Sequence, residues 1–70
     1  YSPFLYAVAM NDTTTIDLFI NIVGLPCFDE KIKIEGSIYN APLLAGFYNH
    51  NDLRRYLALK RLEMLNTIYY

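Results

Sequence analysis

The chain is 70 residues long, carries a formal net charge of −1, and is 54% hydrophobic with 19% charged residues. This length limits it to one small domain with a marginal core, and the hydrophobic fraction excludes a disordered chain. A slightly acidic chain has no overall attraction to nucleic acid or anionic lipid, so neither is an expected partner. The single cysteine, Cys27, cannot form an internal disulfide, a pattern more usual in the reducing interior of cells. Because the first residue is Tyr1 rather than Met, we expect the chain to be cut from a longer protein.

Residues 2–23 are predicted to form a helical hairpin. Ser2 can cap the first helix with its hydroxyl, and Pro3 suits the first turn because it lacks an amide hydrogen and its φ already fits a helix. Asn11 and Asp12 favour a turn, because their side chains can bond nearby backbone groups. The first helix is apolar almost all round, so its sequence selects no single buried face.

The second helix of this hairpin is predicted to begin at the hydroxyls of residues 13–15 and to end before Gly24. Its apolar residues recur at the spacing of one helical face: Ile16, Phe19, Ile20 and Val23. The longest apolar run, residues 16–28, is broken by polar residues, glycine and proline, and it is too short to span a bilayer. We therefore do not expect a membrane helix.

Residues 24–39 are predicted to be a connecting loop with an extended arm. Residues 31–35 alternate between charged and β-branched side chains, which is typical of a strand, and Gly36 with Ser37 interrupts the alternation. Because no second strand is evident and an isolated two-stranded ribbon is barely stable in water, we expect an extended arm rather than a sheet.

Residues 40–66 are predicted to form a second helical hairpin. Asn40 can cap its first helix, which again has a proline in the first turn. A turn over residues 49–51 leads to a last helix that opens at Asp52. Nothing is predicted for residues 67–70. The predicted fold class is all-α, with stacked helix–turn–helix hairpins joined by a long extended connection.

The two hairpins align with each other, which indicates an internal repeat. Residues 2–5 lie over residues 41–44 at a shift of 39, whereas residues 16–20 lie over residues 53–57 at a shift of 37. The second turn is therefore predicted to be two residues shorter than the first.

The first hairpin resembles the ankyrin repeat, whose core opens Thr-Pro-Leu-His-x-Ala and continues through Asn-Gly to a second helix. Residues 2–7, Ser-Pro-Phe-Leu-Tyr-Ala, follow that opening, residues 11–12 fall near the Asn-Gly, and residues 16–20 match the second helix. The second hairpin matches more loosely: residues 41–44 keep the Pro-Leu pair, and Gly46 replaces the small alanine.

This resemblance implies a fold of stacked repeats that binds other proteins through its first helices and projecting loops, without catalysis. The chain departs from the family in two ways. Its repeat is longer than the usual ~33 residues, and both halves lack the histidine of the opening motif. An unrelated helical hairpin fold and a mixed α/β piece are the alternatives.

No group of residues points to catalysis. His50, the only histidine, is expected to bond backbone in its turn rather than act as a base or a metal ligand. Cys27 has no neighbouring base to make a thiolate, and the three glycines are scattered rather than grouped in a phosphate loop. We expect no enzyme activity, no cofactor and no metal site. Four basic residues are expected to solvate the last helix: Arg54, Arg55, Lys60 and Arg61.

The sequence thus predicts a protein–protein interaction module whose partner is another protein or neighbouring repeats of the same chain. The predicted partner-binding residues are exposed aromatic side chains and the extended arm: Tyr6, Lys31, Lys33, Glu35 and Tyr39. Two hairpins bury little surface alone, so the isolated chain is predicted to be unstable, oligomeric, or seen only within a larger chain. The alternative hypothesis is a structural helical segment packed inside a larger assembly, including a membrane-associated one.

Overall fold

The computed structural model of the protein describes the backbone of residues 1–69 and the side chains of residues 1–67. Most of this backbone is helical. The α-helices are α1 (Pro3–Ala9), α2 (Thr13–Val23), α3 (Ala41–Phe47) and α4 (Asn51–Tyr69). Between α2 and α3 lie a short 3₁₀-helix, Leu25–Asp29, and the strands β1 (Ile32–Ile34) and β2 (Ser37–Tyr39).

The all-α prediction is wrong, because β1 and β2 pair as a two-stranded antiparallel ribbon and the fold is mostly helical with a small sheet. The register pairs Ile32 with Tyr39, Lys33 with Ile38, and Ile34 with Ser37. The interruption at Gly36 is a hairpin turn rather than the end of the extended segment. Glu35 and Gly36 have φ of 50° and 87°, and positive φ at both central residues is typical of a two-residue type I′ turn.

The core gives the ribbon the support that an isolated ribbon lacks. Ile32, Ile34 and Tyr39 are half-buried and pack against the buried cluster that joins the helices. The sequence pattern contains this second strand only as three residues, Ser37–Tyr39, which is too short to show an alternation.

Side chains cap α1 and α3 as predicted. Ser2 Oγ accepts a hydrogen bond from the amide of Leu5 at 3.2 Å, and Asn40 Oδ1 accepts one from the amide of Leu43 at 3.1 Å. Caps of this kind contribute about 1 kcal/mol each to helix stability.

Helix α2 begins at Thr13, within the predicted residues 13–15, but its cap is Asp12 and not a threonine hydroxyl as predicted. The Asp12 carboxylate accepts hydrogen bonds from the amide of Thr15 at 3.3 Å and from the Thr15 hydroxyl at 2.7 Å. A negative charge is favoured over a neutral hydroxyl at the positive end of a helix. Gly24, with φ of 82°, follows the end of α2 as predicted.

The two helix–turn–helix units, unit 1 (α1 and α2) and unit 2 (α3 and α4), repeat at a constant shift of 38. Asn11 and Asn49, 38 residues apart, have φ of 56° and 62°. The next amides bond alike: that of residue 12 donates to the carbonyl of residue 7 at 2.9 Å, and that of residue 50 to the carbonyl of residue 45 at 2.8 Å. The predicted shortening of the second turn is therefore wrong, and residue 12 corresponds to residue 50.

One cluster of buried side chains joins the two units. Phe4 lies at its centre, with edge-on ring contacts to Phe19 at 5.9 Å and to Phe28 at 6.3 Å between centroids. Burying a large apolar side chain contributes about 1.5–3 kcal/mol, so the cluster is the main source of stability. Its members are Phe4, Leu5, Ala7, Val8, Ile16, Ile20, Cys27, Phe28, Ala41, Leu44, Ala45, Leu53 and Leu57.

Helix α4 is longer than its counterpart, with 19 residues against 11 in α2. Its added turns pass over the 3₁₀-helix, and Met64 packs against the core there. Helix α4 also extends to Tyr69, three residues beyond the predicted end of the second hairpin. Of the helices described, none combines the length and the apolar character needed to cross a membrane.

Candidate interaction surfaces

The ribbon has two different faces. Its inner face, Ile32, Ile34 and Tyr39, packs against the core. On the other face, Lys33 and its partner in register, Ile38, are exposed, and the Ile38 side chain is 61% accessible. Because directly opposed residues of an antiparallel pair share one face of the sheet, a lysine and an isoleucine lie side by side toward solvent.

Three of the predicted partner-binding residues lie together on this ribbon. Lys31 is exposed just before β1, Lys33 is exposed within it, and Glu35 is exposed in the turn. We call these residues and Ile38 the ribbon site. Ile38 was missed from the sequence, because only its pairing with Lys33 reveals which face it occupies.

Tyr39 is not part of the ribbon site. Its ring is half-buried and packs against the ring of Phe47 on α3, with 5.1 Å between the centroids and 59° between the planes. Aromatic pairs of this kind add about 0.5–1.5 kcal/mol beyond the area that they bury. Tyr39 therefore anchors the base of the ribbon to unit 2.

Tyr6 lies apart from the ribbon, on α1, and is 58% exposed. Its counterpart in unit 2, Leu44, is fully buried. The same contrast occurs on α2: Thr15 and Phe19 are half-buried, whereas their counterparts 38 residues later are buried core leucines. Tyr6 thus belongs to a surface that is covered in unit 2 and open in unit 1.

This open surface continues along α2. Leu18 and Ile22 are 55% and 80% exposed, and an open apolar groove of about 280 Å³ runs beside them, lined by Thr15, Leu18, Phe19, Ile22 and Val23. We call Tyr6, Thr15, Leu18, Phe19 and Ile22 the N-face. Leu18 and Ile22 are spaced i, i+4, so they form a second apolar stripe on α2 that sequence reasoning could have found.

His50 links the two units. Its Nε2 lies 3.0 Å from the carbonyl oxygen of Ala9, 41 residues earlier. The carbonyl can only accept, so Nε2–H donates. The histidine bonds backbone as predicted, but in unit 1 rather than within its own turn. Beside it, a groove of about 420 Å³ separates the two turns and is lined by Asn11, Thr13, Asn49, His50, Asn51, Asp52, Leu53 and Tyr56.

A second link between the units joins α4 to α2. The hydroxyl of Tyr56 donates to Asp17 Oδ1 at 2.6 Å. This hydrogen bond, with a smaller contribution from burial, raises the pKa of Tyr56 above its ordinary value, because it stabilises the protonated phenol next to a carboxylate.

Cys27 is buried, 1% exposed, and its thiol points at the carbonyl oxygen of Phe19, 3.5 Å from Sγ. Burial, and next the charge of Glu30, raise the pKa of the thiol. A buried thiol with a raised pKa is a poor nucleophile.

Among the residues whose side chains the structure describes, no three His, Cys, Asp or Glu residues group closely enough to hold a metal ion. In the same part of the chain every fully buried side-chain nitrogen or oxygen has a hydrogen-bond partner. No known protein family model, curated protein or solved structure matches the chain.

Proposed function

We propose that this chain is a non-catalytic protein–protein interaction module, similar to an ankyrin-repeat segment, that binds a partner protein through the ribbon site. The observation that carries this proposal is the two-faced ribbon. Its inner residues are fixed to the core, while its outer residues are exposed and include a large apolar side chain, Ile38. A rigid projection loses little conformational entropy on binding.

Its chemistry favours a particular kind of partner surface. Lys31 and Lys33 present positive charge on either side of the ribbon's first residue, and Ile38 lies directly opposite Lys33. A protein surface with a small apolar pocket bordered by carboxylates would complement this arrangement. The two units and their connecting ribbon also fit the β-turn-plus-two-helices organisation of the ankyrin repeat, which supports the resemblance.

Photo-crosslinking in extracts of the source cells tests this proposal. A benzophenone amino acid at residue 38 is expected to give a discrete adduct, and the same group at Asn21, an exposed position on α2, is not. Lys31→Ala with Lys33→Ala should remove the adduct without changing the helical circular dichroism. Equal adducts from both positions, or an adduct that survives loss of both lysines, would refute the ribbon site.

A second candidate function is favoured by one observation. Several large apolar side chains outside the ribbon are more than half exposed: Tyr6, Met10, Leu18, Ile22, Leu43, Leu59 and Leu62. That much exposed apolar surface on a small chain suits a segment packed inside a larger assembly. Under this hypothesis the adducts would come from these positions rather than from residue 38.

A further inference from the structure

Some residues that are buried in unit 1 have exposed counterparts in unit 2, and some that are buried in unit 2 have more exposed counterparts in unit 1. In unit 1, Leu5, Ile16 and Ile20 are buried, with exposed fractions of 3% or less. Their counterparts 38 residues later are exposed: Leu43, Arg54 and Ala58. Conversely, Leu44, Leu53 and Leu57 of unit 2 are buried, and the corresponding positions of unit 1 form most of the N-face.

This pattern means that each unit has two stacking faces. The forward face of unit 1 includes Ile16 and Ile20, and the rear face of unit 2 includes Leu44, Leu53 and Leu57. The two faces share one buried cluster, in which α1 packs against α3. The rear face of unit 1 is the N-face. Three of its five residues, Tyr6, Thr15 and Phe19, correspond to Leu44, Leu53 and Leu57, which lie in the cluster that joins the two units. The other two, Leu18 and Ile22, correspond to residues beside that cluster: Tyr56, which bonds Asp17 of unit 1, and the half-buried Lys60.

The outer face of unit 2 is different in chemistry. Arg54 stands where unit 1 has the fully buried Ile16, and Gly46 stands where it has the fully buried Val8. The Arg54 side chain lies over this glycine, its Cδ 3.0 Å from where a β-carbon would be. This outer face also has an exposed leucine, Leu43, but a charged side chain at a position that is apolar in the other unit is typical of a terminal unit that faces water. A second copy stacked head to tail would have to bury this arginine against the N-face, at a large desolvation cost.

We infer that the N-face is a docking site for a further helix–turn–helix unit with an aliphatic forward face like that of residues 4–20. In this docking, the further unit packs on unit 1 in the way that unit 1 packs on unit 2. The N-face and the ribbon site are different surfaces, so loss of ribbon binding would leave this docking intact, and the reverse also holds.

The chain itself supplies the probe for a test. A tandem protein is made in which an extra copy of residues 1–38 precedes the whole chain. At the junction Tyr1 takes the place of Tyr39 and Ser2 that of the capping Asn40, so the ribbon and the helix start are both reconstituted.

If the added unit docks, Tm should rise by on the order of 10 °C relative to the 70-residue chain, and the urea m-value by roughly half, because one larger unit unfolds cooperatively. The label is placed by Tyr6→Cys in the original chain, with Cys27→Ala in every copy. This cysteine should react with a maleimide at least about tenfold more slowly in the tandem protein than in the 70-residue chain. A cysteine at position 59, on an exposed part of α4, should react at an unchanged rate.

A pair of matched variants identifies the surface. Leu18→Asp with Ile22→Asp changes two exposed residues of the N-face, so it should leave the 70-residue chain nearly unaffected and abolish the gain in Tm of the tandem protein. Leu59→Asp with Leu62→Asp, equally exposed on α4, should leave that gain in place.

Three results would overturn the inference. The first is a tandem protein with unchanged Tm and unchanged labelling at position 6. The second is a gain in Tm that survives Leu18→Asp with Ile22→Asp. The third is concentration-dependent self-association of the 70-residue chain that this same pair abolishes, since the occupant of the N-face would then be a second copy.

Discussion

Replacing His50 by alanine is expected to destabilise the chain by about 1 kcal/mol, because it removes a hydrogen bond that ties unit 2 to unit 1. The Nε2–H of His50 donates to the carbonyl oxygen of Ala9 across 3.0 Å. The corresponding residue of unit 1, Asp12, serves its own helix by capping α2. His50 therefore reports on the contact between units.

The size of the effect follows from the surroundings of the bond. A hydrogen bond contributes about 0.5–1.5 kcal/mol net, and an acceptor left buried without a partner costs more. Ala9 is only half-buried, so water can reach its carbonyl and the cost stays near the middle of that range. The stacked contact of His50 with Tyr48, at 6.3 Å between centroids, is long for an aromatic pair, so it adds about 0.5 kcal/mol, the low end of the range for such pairs. For a domain of this size the loss corresponds to a fall in Tm of roughly 4–8 °C.

Urea titrations at a fixed concentration of trimethylamine N-oxide, which stabilises all variants alike, measure this loss. His50→Phe keeps an aromatic ring beside Tyr48 but has no donor, so it should lose nearly as much stability as His50→Ala. Long-range ¹⁵N–¹H correlation spectra of the imidazole should show the proton on Nε2. If His50→Phe is as stable as the wild type and His50→Ala is not, the ring contact with Tyr48 explains the loss of stability. If both variants are as stable as the wild type, the hydrogen bond from His50 to Ala9 contributes no stability.

Three further outcomes are expected. Because burial raises the pKa of Cys27 and covers its sulfur, an aromatic disulfide reagent at pH 8 should react at least about tenfold more slowly with the native chain than with the urea-unfolded chain; equal rates would contradict this burial. The hydrogen bond to Asp17 raises the pKa of Tyr56 in the folded state. The stability that this bond contributes is therefore present below the ordinary tyrosine pKa of about 10 and is lost as pH rises through the raised pKa. In urea titrations, the free energy of unfolding of Tyr56→Phe should therefore fall less than that of the wild type between pH 8 and pH 11. Glu35→Asn should stabilise the ribbon by about 0.5 kcal/mol, because asparagine tolerates the positive φ of 50° at this position, whereas Gly36→Ala, at φ of 87°, should cost about 1 kcal/mol in the same assay.

Much of the local structure could be predicted from short-range chemistry. Ser2 and Asn40 have the side chains and the following prolines of a helix start, and both act as caps. Gly24 ends α2 for the reason that its residue type suggested, since its φ is positive. Such signals depend on neighbours three or four residues away, so they can be read without knowing the tertiary fold.

The ribbon could not be predicted in the same way. Three-residue strands contain too little alternation to detect, and the turn that pairs them has a glutamate at a position where asparagine is usual. The ribbon is held by contacts with the core and with Phe47, which are distant in sequence. For the same reason the sequence does not reveal that Tyr39 packs against Phe47 and the core.

The register of the repeat was also hidden from the sequence. Matching apolar residues aligned α2 with α4 at a shift of 37, because Leu53 and Leu57 resemble Ile16 and Ile20. The backbone instead repeats at 38. These pairs are therefore not equivalent: the isoleucines belong to the forward face of unit 1, and the leucines to the rear face of unit 2. The sequence matched these side chains because all four are aliphatic and belong to the same buried cluster.

The outer faces of the two units therefore differ in chemistry. The buried Ile16 and the exposed Arg54 hold corresponding positions. Burying the arginine without a partner for its guanidinium would cost far more free energy than exposing the isoleucine. The outer side of unit 2 therefore carries a charge beside its exposed leucine, Leu43, whereas unit 1 has apolar side chains on both sides, Ile16 on one and Ile22 on the other. Contiguous exposed apolar patches are uncommon on soluble monomers and often mark interaction sites. The N-face is the surface on which we propose that a further hairpin docks, and the contact between the two units of this chain supplies the geometry for that docking.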